Sequence, residues 1–392
     1  MQRIWIWNIE RRYTMKGIKG GLLYHQDKFI EDYVVLFEDE ITLIAHSNQI
    51  NHREDVDWID AADHYVIPGL IDVHIHGYKG HDVMDGDEVG LKAIAKGIAE
   101  NGVTSFLPTT MTMETEHIKQ AIENVKKVMV QTYDGAQILG VHMEGPFISK
   151  AYKGAQSEKA ICLPNKALVD KYKDMIKVIT MAPELEGSKA FIEAFSSDIN
   201  ISLGHTGATY DQATEAIRSG AKSVTHLFNA MTGLHHREPG VVGAALATDC
   251  FCELIADEIH VHPSLFQVIA KIKGLEKLLL VTDCMCGGGL TEGNYELGGQ
   301  QVSVKDGSCT LSDGTLAGSV LKLNEALRNF DRNVNEELEK LIPLVTKNQA
   351  TYLGIFDKKG SIDVGKDADL VIMDRDFAIQ STFVKGRKVY EI

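Results

Sequence analysis

The 392-residue sequence predicts an α/β fold: a (β/α)8 barrel that carries a small β-sandwich domain formed by the N- and C-terminal segments. Along the middle of the chain, apolar strand-like runs alternate with helix-like stretches of about 10–25 residues, giving eight βα units in order. The runs are almost continuously apolar, as parallel strands buried on both faces require. The two ends of the chain instead have the pattern of short strands and turns. A doubly wound open sheet is the alternative for the centre.

The small β domain is predicted over residues 1–66 and 356–392, and the barrel over residues 67–355. Neither end has enough apolar residues for a core of its own, so pairing the two ends is the economical arrangement. The strands expected there are Tyr33–Phe37, Ile41–Ala45, Asp369–Met373 and one within Phe383–Tyr390, which also holds a Lys385-Gly386 turn.

The barrel strands are expected to be short and buried, with a helix after most of them. The predicted strands are Val66–Ile75, Val103–Pro108, Gln137–Met143, Val178–Met181, Ile199–Leu203, Ser223–Leu227, Cys252–Ala256 and Lys277–Val281. The predicted helical stretches include Glu88–Glu100, His117–Val130, Ser188–Phe195, Tyr210–Ser219 and Pro263–Lys273.

The composition argues against several classes of function. Forty basic and 55 acidic residues give a net charge of −15, which disfavours nonspecific binding to nucleic acid or to an anionic membrane surface. No apolar run reaches the ~18 residues of a membrane span, and residues 1–14 lack the apolar stretch of a signal peptide, with Met15 as an alternative start. The six cysteines lack zinc-knuckle spacing, and we interpret them as buried thiols of a cytoplasmic protein.

Polar side chains follow most of the predicted strands. His74 and His76 lie two residues apart on the first strand, so both imidazoles point to the same side. Because the C-terminal ends of barrel strands surround one mouth, the polar groups at the other strand ends are expected to meet them there. Imidazole and carboxylate ligands suit Zn²⁺ or Fe²⁺ better than Mg²⁺ or Ca²⁺. The candidate metal ligands are His74, His76, Glu144, His205, His226 and Asp283.

Eight segments between residues 67 and 319 carry a resemblance to known proteins. They are Ile67–Gly77, His142–Phe147, Met181–Glu184, Gly204–Thr206, Thr225–Met231, Arg237–Gly240, Leu280–Asp283 and Leu316–Ser319. Together they resemble the amidohydrolase superfamily and, within it, the N-acetylglucosamine-6-phosphate deacetylase family. The His-x-His pair alone identifies only the superfamily, whereas the Glu-Gly-Pro-Phe and His-Leu-Phe-Asn-Ala-Met segments are far more specific. With the flanking β segments, the resemblance covers essentially the whole chain.

The resemblance implies a role for each candidate ligand. Glu144, His205 and His226 would hold one metal, with Glu144 standing where many relatives use a carboxylated lysine. His74 and His76 would hold a second metal that Glu144 bridges, although some members of the family lack these histidines and use a single metal. The implied cofactor is therefore one or two divalent ions, zinc or iron. His142 is expected to be a hydrogen-bonded residue of the barrel interior at least as readily as a direct participant.

The implied reaction is hydrolysis of the acetamide of N-acetylglucosamine 6-phosphate to glucosamine 6-phosphate and acetate, in amino-sugar catabolism. A bound metal lowers the pKa of water from 15.7 to about 7, on the order of 12 kcal/mol in making hydroxide available. A general base alone contributes about 10²–10⁴-fold. Metal-bound hydroxide would thus be the nucleophile, and Asp283 would be the general acid/base that passes its proton to the departing amine.

The resemblance also implies a substrate pocket. Its residues are Ala155, Asn229, Ala230, Arg237, Asp257, His260, Leu316, Ala317 and Gly318. Arg237 would grip the sugar phosphate in the site of a neighbouring subunit, which implies a homodimer. Gln156 stands where many relatives have histidine, and its role stays open. We interpret the Gly287-Gly288-Gly289 run as a mobile lid, since it lacks the Lys-Ser/Thr and helix of a phosphate-binding loop.

Two alternative functions stay open. Another metal-dependent amidohydrolase, such as a nucleobase deaminase or a cyclic-amide hydrolase, would share the metal ligands without needing Arg237. A non-catalytic homologue that binds sugar phosphates is less favoured, because such proteins usually lose metal ligands and this sequence keeps the whole set.

Overall fold

The computed structural model describes residues 15–50 and 53–392, and it confirms the predicted barrel with its additional β domain. The expectations about residues 1–14 lie outside the described residues. Parallel pairing joins eight neighbouring strand positions, and the third position is divided into two short strands that both pair with the second. The barrel strands are Leu70–Ile75, Val103–Thr110, Gln137–Ile138 with Val141–Glu144, Ile176–Met181, Asn200–Leu203, Ser223–Val224, Phe251–Ile255 and Leu278–Val281.

The barrel closes between its eighth and first strands through a few backbone contacts. The Asp283 N–H donates to the His74 carbonyl at 2.9 Å, and the His76 N–H donates to the Cys284 carbonyl at 2.8 Å. Closure therefore places Asp283 directly beside the two histidines of the first strand.

Helices cover the outside of the barrel. They are Glu88–Ala99, Thr115–Met129, Lys166–Tyr172, Ser188–Phe195, Tyr210–Arg218, Gly240–Ala247, Phe266–Lys273, Leu323–Asn333, Leu338–Leu341 and Lys347–Tyr352. Helix Gly240–Ala247 was not predicted, because its glycines and valines are weak helix formers and its residues are apolar on every side, without a helical period.

The first predicted barrel strand, Val66–Ile75, is wrong as a single strand, because the structure divides it into two. Tyr65–Pro68 belongs to the terminal domain and Leu70–Ile75 to the barrel, and the chain passes from one sheet to the other at Gly69. The Gly69 N–H donates to the Asp369 carbonyl at 2.9 Å, and a Cβ there would lie 2.1 Å from Oγ1 of Thr104. Because both strands are buried, the sequence is apolar on both sides of the crossing. Gly69 is the only residue in the sequence that indicates where one strand ends and the next begins.

The two ends of the chain share one six-stranded sheet, because Leu370–Met373 pairs antiparallel with Tyr65–Pro68. The other strands of this sheet are Leu22–His25, Lys28–Ile30, Ile379–Val384 and Arg387–Glu391. A four-stranded sheet packs against it, formed by Met15–Lys19, Tyr33–Phe37, Ile41–His46 and Val56–Asp60. Their shared apolar core includes Phe37 and Phe383, whose rings lie 5.6 Å apart in an edge-to-face arrangement.

Further antiparallel strands lie at the mouth of the barrel and were not predicted. Gly77–Tyr78 pairs with His81–Asp82 after the first barrel strand. A three-stranded sheet follows the eighth barrel strand and is formed by Gly293–Leu297, Gln300–Lys305 and Ser308–Thr310. This sheet leads the chain to the segment around Leu316 at the mouth.

The glycine run at 287–289 is packed against the barrel, which contradicts its interpretation as a lid. The Gly288 carbonyl accepts the Lys79 N–H at 2.8 Å. A Cβ on Gly288 would lie 2.2 Å from Sγ of Cys284 and 2.8 Å from the Tyr78 ring. Glycine is needed here for close approach rather than for mobility.

All six cysteines are free, and five of them are buried as predicted, whereas Cys162 is exposed. Among the described residues, no helix has both the length and the apolar character needed to cross a membrane.

Candidate metal centre

Four histidines at the ends of barrel strands direct Nε2 at the carboxylate of Glu144. Nε2 of His205 and of His226 lie 3.0 and 3.1 Å from Oε1 of Glu144. Nε2 of His74 lies 3.5 Å from the same oxygen, and Nε2 of His76 lies 3.3 Å from Oε2. Four side chains from three separate strand ends thus surround one buried carboxylate.

Asp283 lies on the first-strand side of this cluster. Its Oδ1 is 3.2 Å from Nε2 of His76 and 3.5 Å from Nε2 of His74. Its side chain keeps 12% of its surface exposed, whereas that of Glu144 keeps 3%. Asp283 therefore joins the buried cluster to the open mouth of the barrel.

A hydrogen bond at Nδ1 orients three of the histidines. Each of these nitrogens contacts a backbone carbonyl oxygen, which can only accept, so Nδ1 carries the proton and Nε2 presents its lone pair inward. The pairs are His76 with Thr109, His205 with Tyr152 and His226 with Asn229, at 3.2, 3.0 and 3.1 Å.

His74 is oriented differently, by a carboxylate that sequence analysis missed. Its Nδ1 lies 2.9 Å from Oε2 of Glu253, and both side chains are completely buried. Glu253 lies within the seventh barrel strand, which was predicted only from its apolar character. The available signal was a charged residue in the middle of a strand buried on both faces, since such residues are seldom buried without a partner.

The donor set fits a divalent cation. Nε2 of His205 and Nε2 of His226 face each other at 3.2 Å. In each ring the N–H proton is on Nδ1, where it is donated to a backbone carbonyl. Nε2 of His74 is buried and has no hydrogen-bond partner among the residues that the structure describes. Lone pairs directed at one another repel unless a positive charge lies between them. Two groups of three close ligand atoms face the cavity side of the cluster: Glu144, His205 and His226, and His74, His76 and Asp283. A third group, His74, His142 and Glu253, lies behind them.

The pKa values of the metal-free cluster also show that the carboxylates favour a positive charge among them. Burial lowers the pKa of His74, but the carboxylates of Asp283, Glu144 and Glu253 outweigh it and raise the pKa to about 9. Burial raises the pKa of Glu144, but the surrounding histidines, His205 first and then His74, hold it well below its usual range. Protons and a metal ion therefore compete for the same site.

His142 belongs to a hydrogen-bonded chain beneath the cluster. Its Nδ1 donates to the Val73 carbonyl at 2.9 Å, so its Nε2 must accept from Oγ1 of Thr180 at 2.8 Å. The direction then continues, with Thr225 donating to Thr180 at 2.7 Å and Ser202 to Thr225 at 2.6 Å. Burial, with the charge of the neighbouring His74, lowers the pKa of His142 to about 4. His142 is thus a neutral residue of the barrel interior.

Three residues of the cluster follow strand ends in strained backbone conformations. The φ angles of His205, His226 and Asp283 are 48°, 28° and 49°, in the left-handed region that costs non-glycine residues on the order of 1–3 kcal/mol. Beside His205, the carboxylate of Glu184 accepts from Oγ1 of Thr206 at 2.5 Å and from the Gly207 N–H at 2.7 Å. This bracing holds the turn that aims the His205 ring.

A cavity of about 340 Å³ opens above the cluster. Six of the nine predicted substrate residues line it: Ala155, Asn229, Ala230, His260, Leu316 and Gly318. Its lining also includes residues that were not predicted to bind substrate: Met111, Ala151, Tyr152, Gly154, Gln156, Leu297 and Thr315. Among the described residues that line this cavity there is no lysine or arginine.

Three predicted substrate residues do not line the cavity. Asp257 lies behind His260, with Oδ2 2.6 Å from Nδ1 of that ring, so its predicted contact with a sugar is at most indirect. Ala317 is fully buried, and its N–H donates to the Cys309 carbonyl at 3.0 Å. Arg237 is exposed beside a neighbouring cavity of about 690 Å³ that shares Tyr152 with the first.

Gln156, whose role the sequence left open, contacts the central carboxylate. Its Nε2 donates to Oε2 of Glu144 at 2.5 Å, and its Oε1 accepts the Thr112 N–H at 2.6 Å. The backbone donor fixes the orientation of the amide, because only Oε1 can accept. Gln156 therefore holds Glu144 in place from the cavity side.

Comparison with known proteins agrees with this geometry. The sequence matches the amidohydrolase family over residues 65–389. It is 43% identical over 334 residues to N-acetylglucosamine-6-phosphate deacetylase of Bacillus subtilis (strain 168), covering 83% of this chain and 84% of that protein. It is also 34% identical over 326 residues to N-acetylgalactosamine-6-phosphate deacetylase of Escherichia coli O157:H7, covering 82% and 86% of the two chains.

The crystal structure of N-acetylglucosamine-6-phosphate deacetylase from Pasteurella multocida superposes with a TM-score of 0.91 at 31% identity, covering 95% of this chain and 99% of that one. Because the sequence, the fold and the length all match, the chain belongs to the amidohydrolase family, and within it to the group of deacetylases named for phosphorylated amino sugars.

Proposed function

We propose that this protein hydrolyses the acetamide of N-acetylglucosamine 6-phosphate, releasing glucosamine 6-phosphate and acetate, in amino-sugar catabolism. The observation that carries the proposal is the convergence of four imidazole nitrogens on Glu144, 3.0–3.5 Å from its oxygens, at the base of a cavity of about 340 Å³. That volume lies in the usual range for a small-molecule site. The name of the Bacillus subtilis relative supports the same substrate.

The cofactor is one or two divalent ions, zinc or iron. Glu144, His205 and His226 would hold one ion, and His74, His76 and Asp283 would hold a second beside it, which the two ligand groups support. When bound, such an ion polarises an amide carbonyl and lowers the pKa of water to about 7.

Asp283 is the proton carrier of the proposed reaction. Burial raises the pKa of its carboxyl, but His74 and His76 outweigh it and bring the pKa to about 2, so the group is ionised at neutral pH and can accept a proton. It lines the cavity and touches the histidine cluster. Its carboxylate would take the proton of the attacking water and deliver it to the amine nitrogen as the C–N bond breaks, a contribution of about 10²–10⁴-fold.

His260 would bind the sugar. Because the ring donates Nδ1–H to Asp257, a neutral His260 has only Nε2 left, and that atom accepts. It therefore suits a sugar hydroxyl better than a developing oxyanion. Asp257 also accepts the His260 backbone N–H at 2.8 Å, which fixes the loop that carries the ring.

The phosphate would be bound at the edge of the cavity by Asn229, the Ala230 backbone and Arg237 of a second subunit in a cytoplasmic homodimer. No lysine or arginine lines the cavity within the described part of one chain, although the proposed substrate carries a phosphate. Arg237 is exposed near the mouth, where it can extend toward a partner. The free, mostly buried cysteines are in keeping with a reducing compartment.

The substrate test compares acetate release from four compounds by the metal-loaded protein: N-acetylglucosamine 6-phosphate, N-acetylgalactosamine 6-phosphate, and the two unphosphorylated sugars. We expect the highest kcat/KM with N-acetylglucosamine 6-phosphate. The galactosamine epimer is the second candidate, because a relative of that name matches at 34% identity. Preference for the epimer would replace the substrate and keep the reaction class. Ammonia release from adenine or cytosine without acetate release would contradict the proposal, as would sugar-phosphate binding without turnover.

A further inference from the structure

The four inward-facing histidines are held in two different ways. Backbone carbonyls hold His76, His205 and His226. His74 is held by a side chain, Glu253, whose carboxylate is entirely buried. Only at His74 can one substitution remove the group that orients a ring without touching a candidate ligand.

The carboxylate of Glu253 is costly to keep where it lies. Oε1 of Glu253 is buried with no hydrogen-bond partner among the described residues, and both contacts of the group are made by Oε2. Removing a carboxylate from water costs several kcal/mol unless its oxygens are satisfied. A buried carboxylate with one unpartnered oxygen is therefore expected to have a function that offsets this cost.

Glu253 is not itself a ligand of the cluster. It contacts Nδ1 of His74, the ring nitrogen opposite the one that faces Glu144. A separate site with His142 is excluded, because both ring nitrogens of His142 are already committed to Val73 and Thr180.

We propose that Glu253 is a positioning residue that builds the first-strand metal site and links it to the second. The inference rests on the proposed metal-binding role of His74. By accepting Nδ1–H, the carboxylate fixes the tautomer that leaves the Nε2 lone pair facing inward, and its negative charge strengthens that nitrogen as a donor. The same Oε2 accepts the backbone N–H of His226 at 3.3 Å, at the strained residue that begins the loop to Asn229. One oxygen thus touches both halves of the centre.

The two contacts predict unequal effects. The hydrogen bond to the His74 ring is the shorter, at 2.9 Å, and it is made by the same ring that carries the candidate ligand atom Nε2. The bond to His226 is longer and reaches only the backbone, while its ring stays held by the Asn229 carbonyl. Loss of Glu253 should therefore weaken the first-strand site much more than the Glu144 site.

The test uses metal-depleted full-length protein titrated with Zn²⁺ by calorimetry, with bound zinc counted by elemental analysis and no substrate present. We expect two sites in the wild type. Glu253→Leu should weaken one site about 100-fold and leave the other within a few-fold. Glu253→Gln keeps an acceptor oxygen for Nδ1–H of His74 and for the His226 backbone N–H, and its NH2 group takes the place of the unpartnered Oε1. Because only the negative charge is lost, this variant should weaken the first-strand site about tenfold.

The outcomes separate this inference from the proposed function. Wild-type affinity at both sites in both variants would overturn the role of Glu253 alone, and so would a single site in the wild type. Absence of zinc from the wild type would overturn the proposed function as well. Circular dichroism shows whether each variant is folded, and if Glu253→Leu is not, the Glu253→Gln titration decides.

Discussion

The two halves of the metal centre reach the same point by different structural means. His74 and His76 lie on a regular strand, where alternate residues share a side, and their rings are 5.2 Å apart without backbone strain. His205 and His226 lie beyond strand ends at positive φ, and carbonyl contacts hold their rings. In the first half, strand alternation alone places the two imidazoles on one side. The second half depends on turns that the surrounding structure must hold, and it carries the carboxylate that both halves share.

This difference predicts that the Glu144 half is the more important for turnover. His205→Asn removes a ligand that lies 3.0 Å from Glu144, and we expect loss of the metal of that half and a fall in kcat/KM of at least ~10³-fold. His76→Asn is the matched change in the other half and should lose one metal with a smaller fall, about 10–100-fold. Elemental analysis and acetate release measure both, and equal losses in the two variants would remove the distinction.

Asp283 tests whether the first half supplies chemistry as well as ligands. Asp283→Asn keeps the shape of the side chain but cannot accept a proton, so we expect kcat to fall about 10²–10⁴-fold. Zinc bound at the Glu144 half should stay at the wild-type level, because Asp283 is not part of that group. Single-turnover acetate release from the metal-loaded variant checks the prediction, and a normal rate would exclude Asp283 from proton transfer.

Arg237 lies outside both halves and should act only on binding. A charge-assisted hydrogen bond is worth about 1.5–3 kcal/mol, so Arg237→Ala should raise KM for the phosphorylated sugar about 10–100-fold with little change in kcat. The unphosphorylated sugar is the control and should be unaffected. Equal effects on both sugars, in steady-state assays, would mean that Arg237 does not bind the phosphate.

The smallest effect concerns His142, beneath both halves. Its pKa of about 4 in the fold lies below the ordinary 6.5, so the unfolded chain binds the proton first and stability falls as pH drops from 6.5 toward 4. Between pH 7.5 and pH 5 this costs about 2 kcal/mol of the free energy of unfolding. His142→Gln keeps one donor and one acceptor without titrating, and urea unfolding of metal-free protein should show about 2 kcal/mol less pH dependence. Parallel pH curves would contradict this.

The sequence predicted the barrel because strands buried on both faces and their polar ends leave a clear pattern. It predicted which side chains meet at the mouth for the same reason, since parallel strands end together. The partner of Glu253 could not be predicted, because a hydrogen bond to the far side of the His74 ring leaves no spacing pattern in the chain, and the only signal was a charged residue within a buried strand. Nor did the sequence reveal the crossing at Gly69 or the sheet that begins at Gly293, since both depend on contacts with distant segments.

The most direct test of the account is anomalous diffraction from crystals of the zinc-loaded protein, measured on both sides of the zinc absorption edge. We expect a peak about 2.0–2.1 Å from Nε2 of His205 and of His226 and within bonding distance of Glu144. A second peak beside His74 and His76 would complete the two-metal form. Two results together would contradict the proposed metal centre: no peak at His205 and His226 in the zinc-loaded crystals, and acetate release that persists after the protein is treated with a chelator.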